Sequence, residues 1–212
     1  MEITSPLTDA DDNRLSLAVQ ENLFALFRAM ATHLPGGELE ERPGLSRHLT
    51  APTNPMYKGV WATRLAPEAS DEAIDETIAW FRKRNAPFFF WWTGPDTTPA
   101  DLGGRLQARG LLDMAEQAHE MAAGIVSTAS GAPCMVADLE RMNEAVLTQT
   151  PPGFVIAPVQ SEADLTDFRR VLVEGYEIPE MMADGWVQAA RSVGPERLPW
   201  KMYVGRLNGE AV

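Results

Sequence analysis

Apolar residues recur three and four apart over residues 13–34, at Leu17, Val19, Leu23, Phe24, Leu26, Phe27 and Met30. That spacing predicts an amphipathic helix, stopped by Pro35-Gly36-Gly37. A loop rich in Pro, Gly and Glu is expected next, then a strand over residues 56–65 around Val60 and Trp61. Ser70 reads as an N-cap, with Asp71, Glu72 and Asp75 in the first turns, where the helix dipole favours anions. Ile74, Ile78 and Phe81 carry that helix to Arg82, Lys83 and Arg84, and Ala86, before Pro87, marks its limit. Residues 88–93 are apolar on both faces and predict a buried central strand. Residues 99–110 predict a short helix with Pro99 in its first turn, Leu102 and Leu106 facing in, and Gly110 as C-cap. Gly103-Gly104 inside it marks either close packing or a late start.

The second half is patterned less evenly. Residues 113–125 have the composition of a helix and the position of a strand, and both stay open. Residues 127–153 read as a connector, with a short helix around 137–146. A strand over residues 154–159 precedes Ser161, which caps a helix with Glu162 and Asp164 in its first turn, running to about Tyr176. Residues 180–191 form another helix, with Met182, Trp186 and Ala189 on one side. A strand over residues 200–207 meets Asn208-Gly209, a strong hairpin signal, and Glu210-Ala211-Val212 starts the partner arm. Three residues bury little, so the chain reads as truncated there.

Composition narrows the function classes. The 212 residues suit one large domain or two small ones. The longest apolar stretch, residues 86–92, is broken by Pro87, so no membrane span is expected. Residues 1–12 are polar and acidic, unlike a signal peptide, and read as a flexible lead. The single Cys134 cannot form an internal disulfide and fits a reducing, cytoplasmic location. A net charge of -12 argues against nucleic acid and anionic lipid as partners. It reads first as a solvated surface and second as attraction for a cationic substrate. His33, His48 and His119 have no metal-like spacing, and no metal site or Cys/His nucleophile pair is expected.

The order strand, helix, helix, strand, hairpin over residues 154–212 is carried by FVIAPVQSEADLTDFRRVLVEGYEIPEMMADGW and then WKMYVGRLNGEAV. It resembles the opening third of a GNAT acetyltransferase domain. The resemblance implies an α/β fold, specifically a mixed-sheet acyl-CoA N-acyltransferase-like fold. It also implies acetyl-CoA as co-substrate, a small-molecule amine as acceptor, and a loop of the form Gln/Arg-x-x-Gly-x-Gly/Ala whose backbone N–H groups hold the CoA pyrophosphate. That loop is expected beyond Val212, so this chain is expected to hold no cofactor-binding residues, to bind acetyl-CoA weakly if at all, and to transfer no acetyl group by itself. Coding sequence carrying that loop downstream would favour an enzyme, and a stop codon would favour a module or a fragment.

The first half carries a second resemblance. The stretch RLQARGLLD, residues 105–113, is similar to the family's L-x-x-R-G/L-G-F element. Residues 13–126 are accordingly identified as a degenerate GNAT-like domain, joined by residues 127–152 to the N-terminal part of a second one, residues 153–212. In the first unit the segment at the phosphate-loop position has no glycine and four carboxylates, Glu68, Asp71, Glu72 and Asp75. Each like-charge contact there costs about 1 kcal/mol even in high dielectric.

On the acceptor side the resemblance points to the helix–helix turn. Tyr176 and Glu177 are the better candidates, because a loop places them and they can position an amine or accept its proton. Trp186, with Met182, reads first as core packing. Trp92 is the member of the aromatic run, residues 88–92, that reaches the strand's carboxyl end, where α/β ligand clefts form. No catalytic acid or base can be named. Two other classes stay open: a non-catalytic binding or regulatory module, and a gene fragment whose open sheet edge would invite a homodimer.

Overall fold

The computed structural model describes residues 11–51, 57–113, 145 and 149–212. Expectations for residues 1–10, for residues 114–125, for most of the connector, and for His119 and Cys134 lie outside them. The described residues form a mixed α/β structure with five helices and two small sheets, one mixed and one antiparallel. Contacts divide the chain into two compact units that interleave in sequence. The first takes Met1–Phe24, Glu41–Ser46 and Val60–Ala137, and the second Ala25–Glu40, Arg47–Gly59 and Asp138–Val212.

Helix α1 (Asp12–His33) follows the predicted periodicity. Two strands then stand where the sequence predicts a loop, β1 (Glu38–Arg42) and β2 (Leu45–Leu49). Strand β1 is a solvent-facing edge with four charged residues in five, so it gives little hydrophobic signal. Gly44 between them has φ 94, and a side chain there would meet Leu65 at 2.8 Å. Only glycine fits that turn without strain.

The predicted strand at residues 56–65 shrinks to β3 (Gly59–Trp61), which is fully buried. Helix α2 (Pro67–Lys83) begins before Ser70. Pro67 at its start needs no N–H partner, and Ser70 sits inside the helix, its Oγ donating to the Ala66 carbonyl at 2.8 Å. Ser70 is therefore not the cap.

Strand β4 (Phe90–Trp91) corrects another expectation. It ends the order β1-β2-β3-β4, so the aromatic run is an edge and not a sheet centre. Phe88 is 69% exposed. The bulk is used against α2: Phe89 stacks on Phe81 with ring centroids 4.0 Å apart. Helix α3 (Leu102–Gln107) buries Leu102 and Leu106 beside Ile74. Side chains at Gly103 or Gly104 would meet nothing within 4 Å, so the pair marks the helix start and not close packing. Arg105 and Arg109 bind Asp71 and Asp75 of α2, at 2.9 and 2.6 Å for the shortest contacts.

In the second unit β5 (Phe154–Pro158) pairs antiparallel with β6 (Tyr203–Leu207), from Phe154 opposite Leu207 to Pro158 opposite Tyr203. Strand β7 (Glu210–Ala211) pairs with β6 through the predicted hairpin, Asn208 and Gly209 having φ of 52 and 89. Helix α4 (Glu162–Arg170) has the predicted cap in its reciprocal form: the Asp164 N–H donates to Ser161 Oγ, and the Ser161 N–H donates to the Asp164 carboxylate. The α-helix stops at Arg170, and a wider π turn occupies Val171–Gly175. Helix α5 (Glu180–Val193) buries Ala183, Gly185, Val187, Ala189 and Ala190. Its buried stripe is thus built on small residues, with Met182 and Trp186 only half-buried.

Candidate functional site

The π turn sets the site. The Tyr176 N–H donates to the Val171 carbonyl at 3.2 Å and the Ile178 N–H to the Leu172 carbonyl at 3.1 Å. One residue more than an α-turn is held in that loop, which tips Tyr176 outward; such turns recur at functional positions. Glu177 follows with φ 54, a left-handed conformation that glutamate rarely adopts.

A cleft of about 220 Å³ lies beside this turn. Phe168, Val171 and Leu172 form its helical wall, and Tyr203, Val204 and Gly205 of β6 the opposite one. Tyr176 and Val212 complete the lining. Tyr176 and Tyr203 are well exposed, while Val204 is buried. A Cβ at Gly205 would approach the Phe154 ring to 3.0 Å, so any larger residue there must push the ring aside.

Charge is tied up around the cleft, not inside it. Arg206 Nη2 donates to Asp164 at 2.8 Å and its Nη1 to Asp167, joining β6 to α4. Arg170 donates to the Ala211 carbonyl at 2.8 Å, joining α4 to β7. The Ser161 hydroxyl, the Gln160 N–H and the Arg206 guanidinium hold the Asp164 carboxyl down to about 2. Both arginines are engaged, so neither is a ready anion hook.

The four sequence candidates separate. Tyr176 lines the cleft, and Glu177 is next to it in the chain. Trp186 instead packs edge-on against Tyr57 and Trp200, with centroids 5.8 and 5.5 Å away, and is not part of the cleft lining. Trp92 belongs to the first unit, where its backbone N–H donates to the Val60 carbonyl at 2.8 Å and its ring tilts against Phe90. Sequence reasoning does not single out Tyr203 and Gly205. They stand two apart on one face of a strand whose other face carries Met202 and Val204, an alternation that could have marked them.

No family model matches the chain, and no curated protein or solved structure matches it. The residues themselves give a test of fit for a CoA pyrophosphate. Arg206-Leu207-Asn208-Gly209-Glu210-Ala211 has the letters of the phosphate-loop pattern, yet it folds as the β6–β7 hairpin. Its arginine is bound to two aspartates. The start of α2 lacks glycine, and arginines already bridge Asp71 and Asp75. Neither segment combines glycines at a helix start with an arginine free for the phosphates, so these two segments do not fit the group. Among the described residues no group of three or more His, Cys, Asp or Glu is placed to hold a metal ion. No helix among them is long and apolar enough to cross a membrane.

Proposed function

We propose that the protein is a GNAT-type acetyltransferase whose second unit supplies the acceptor side of the reaction, the full-length form moving an acetyl group from acetyl-CoA to a small amine. One observation carries the reading. The succession β5, α4, π turn, α5, β6 and β7, with β6 central in an antiparallel sheet, places a cleft against the helix–helix turn. Tyr176 on that turn is the residue expected to position the amine. No step is assigned to acetyl-CoA on these residues, because neither the β6–β7 hairpin nor the start of α2 fits its pyrophosphate.

That misfit also favours a second reading, a non-catalytic binding module that keeps the cleft and dispenses with the cofactor. Thiol release from acetyl-CoA by the full-length protein, followed over a panel of amines, separates the two. Amine-dependent release supports the enzyme. A protein that binds amines without release is the module.

A further inference from the structure

Strand β5 is an edge of its sheet, and no charged side chain guards it. Val155 and Ile156 are 59% and 64% exposed. Neighbours in a strand point to opposite faces, so the margin is apolar and open on both. Strand β1, an edge of the other sheet, carries charge at four of five positions, a usual protection against pairing with another chain. Around β5 no charged residue stands between Glu144 and Glu162 in sequence. On a chain of net charge -12, this is a stretch where a second copy meets little repulsion.

The backbone decides what can pair there. The Asn208 N–H donates to the Gly153 carbonyl and the Val159 N–H to the Met202 carbonyl, both at 2.9 Å. Bonded pairs alternate along an antiparallel ladder, so Val155 and Ala157 also bond toward β6, while Phe154, Ile156 and Pro158 turn their backbone groups outward. The Phe154 N–H is already given to the Pro151 carbonyl at 3.0 Å, and Pro158 has no N–H. Of these three, Ile156 alone keeps an outward donor. A two-fold axis through Ile156 sets its N–H against the Ile156 carbonyl of a second copy, and the reverse. The same axis sets Pro158 opposite Phe154 of that copy, so the position without a donor meets the position whose donor is spent. Neither copy then buries an unpaired N–H. An unrelated strand would place carbonyls against both positions and find no donor for either.

We propose that β5 pairs antiparallel with β5 of a second copy, Ile156 against Ile156, joining the two sheets into one. Five residues span about 16 Å, and the side chains they bring bury less than the roughly 1,200 Å² at which stable interfaces begin. The dimer is therefore weak and reversible.

Sedimentation of the 212-residue chain tests it. The average mass should climb toward the dimer's between about 10 μM and about 1 mM. Ile156→Pro removes the outward N–H and leaves the bonds to β6 in place, and Ile156→Lys adds a charge at an exposed position. Each should weaken the dimer at least about tenfold, with circular dichroism checking that the fold is kept. Cross-linking tests the register without either variant. In a Cys134→Ser background, a short bis-maleimide should join Ile156→Cys to its counterpart, and should not join Gln160→Cys, which this register holds more than about 20 Å from its own. A chain that stays monomeric at about 1 mM overturns the proposal. So does a dimer that survives both folded Ile156 variants, or one that cross-links through residue 160 as readily as through residue 156.

Discussion

Acidification should destabilise this fold before its carboxylates titrate, and His48 is the reason. It lies in β2 with none of its surface exposed, its ring stacked on Phe27 with centroids 5.0 Å apart. Burial holds its pKa down at about 4, against 6.5 for a free histidine. A hydrogen bond to the Gly59 backbone works the other way, and the charge of Lys58 adds to the depression. The unfolded chain takes up this proton near 6.5 and the folded chain only near 4. The contribution is complete above the higher value and is lost as pH falls through that window, since the unfolded state binds more protons there. The gap corresponds to about 3 kcal/mol in all, of which about 2 kcal/mol is lost between about pH 7.5 and about pH 5. Urea denaturation followed by tryptophan fluorescence measures it. The wild-type midpoint should fall steeply over that range, whereas His48→Gln, less stable at neutral pH, should vary much less. Equal pH dependence in the two proteins would refute the argument.

Two further substitutions test the packing. Gly205→Leu must displace the Phe154 ring, which lies 3.0 Å from a Cβ built there. It should cost about 1–3 kcal/mol in urea denaturation and recover much of that loss alongside Phe154→Ala. Tyr57→Phe removes a buried hydroxyl with no hydrogen-bond partner among the described residues. It should be neutral or raise stability by about 1 kcal/mol, and a loss larger than that in thermal melts would reveal an unseen partner.

The second unit is the more legible in sequence, because its signals are local. Ser161 and Asp164 three residues apart write a capping box, and Asn208-Gly209 writes a hairpin. The first half of the chain misleads where identity and environment part company. The run 88–92 looks like a sheet centre by composition, yet Phe89 is spent on Phe81 and Phe88 faces solvent. Strand β1 escapes a hydrophobic pattern because an edge can be written in charges. Ser70 has the chemistry of a cap, but Pro67, three residues earlier, starts the helix and leaves the serine inside it.

The site is legible in half. Tyr176 and Glu177 follow from their place before Pro179, but the tilt that exposes Tyr176 comes from the π turn, which has no pattern in VLVEG. Tyr203 and Gly205 reach the cleft only through the register that sets β6 beside β5. The arginines at Arg105, Arg109 and Arg206 neutralise carboxylates distant in sequence. Carboxylates that look like a repulsive surface are therefore partly salt-bridge anchors, a pairing no linear reading supplies.

Thiol release tests the proposed amine acetylation most directly. A form of the protein that carries a cofactor-binding loop, given acetyl-CoA and a small primary amine, should release one thiol for each N-acetylated amine formed, and Tyr176→Ala should slow that release. Absence of amine-dependent release across monoamines and polyamines alike would contradict the claim.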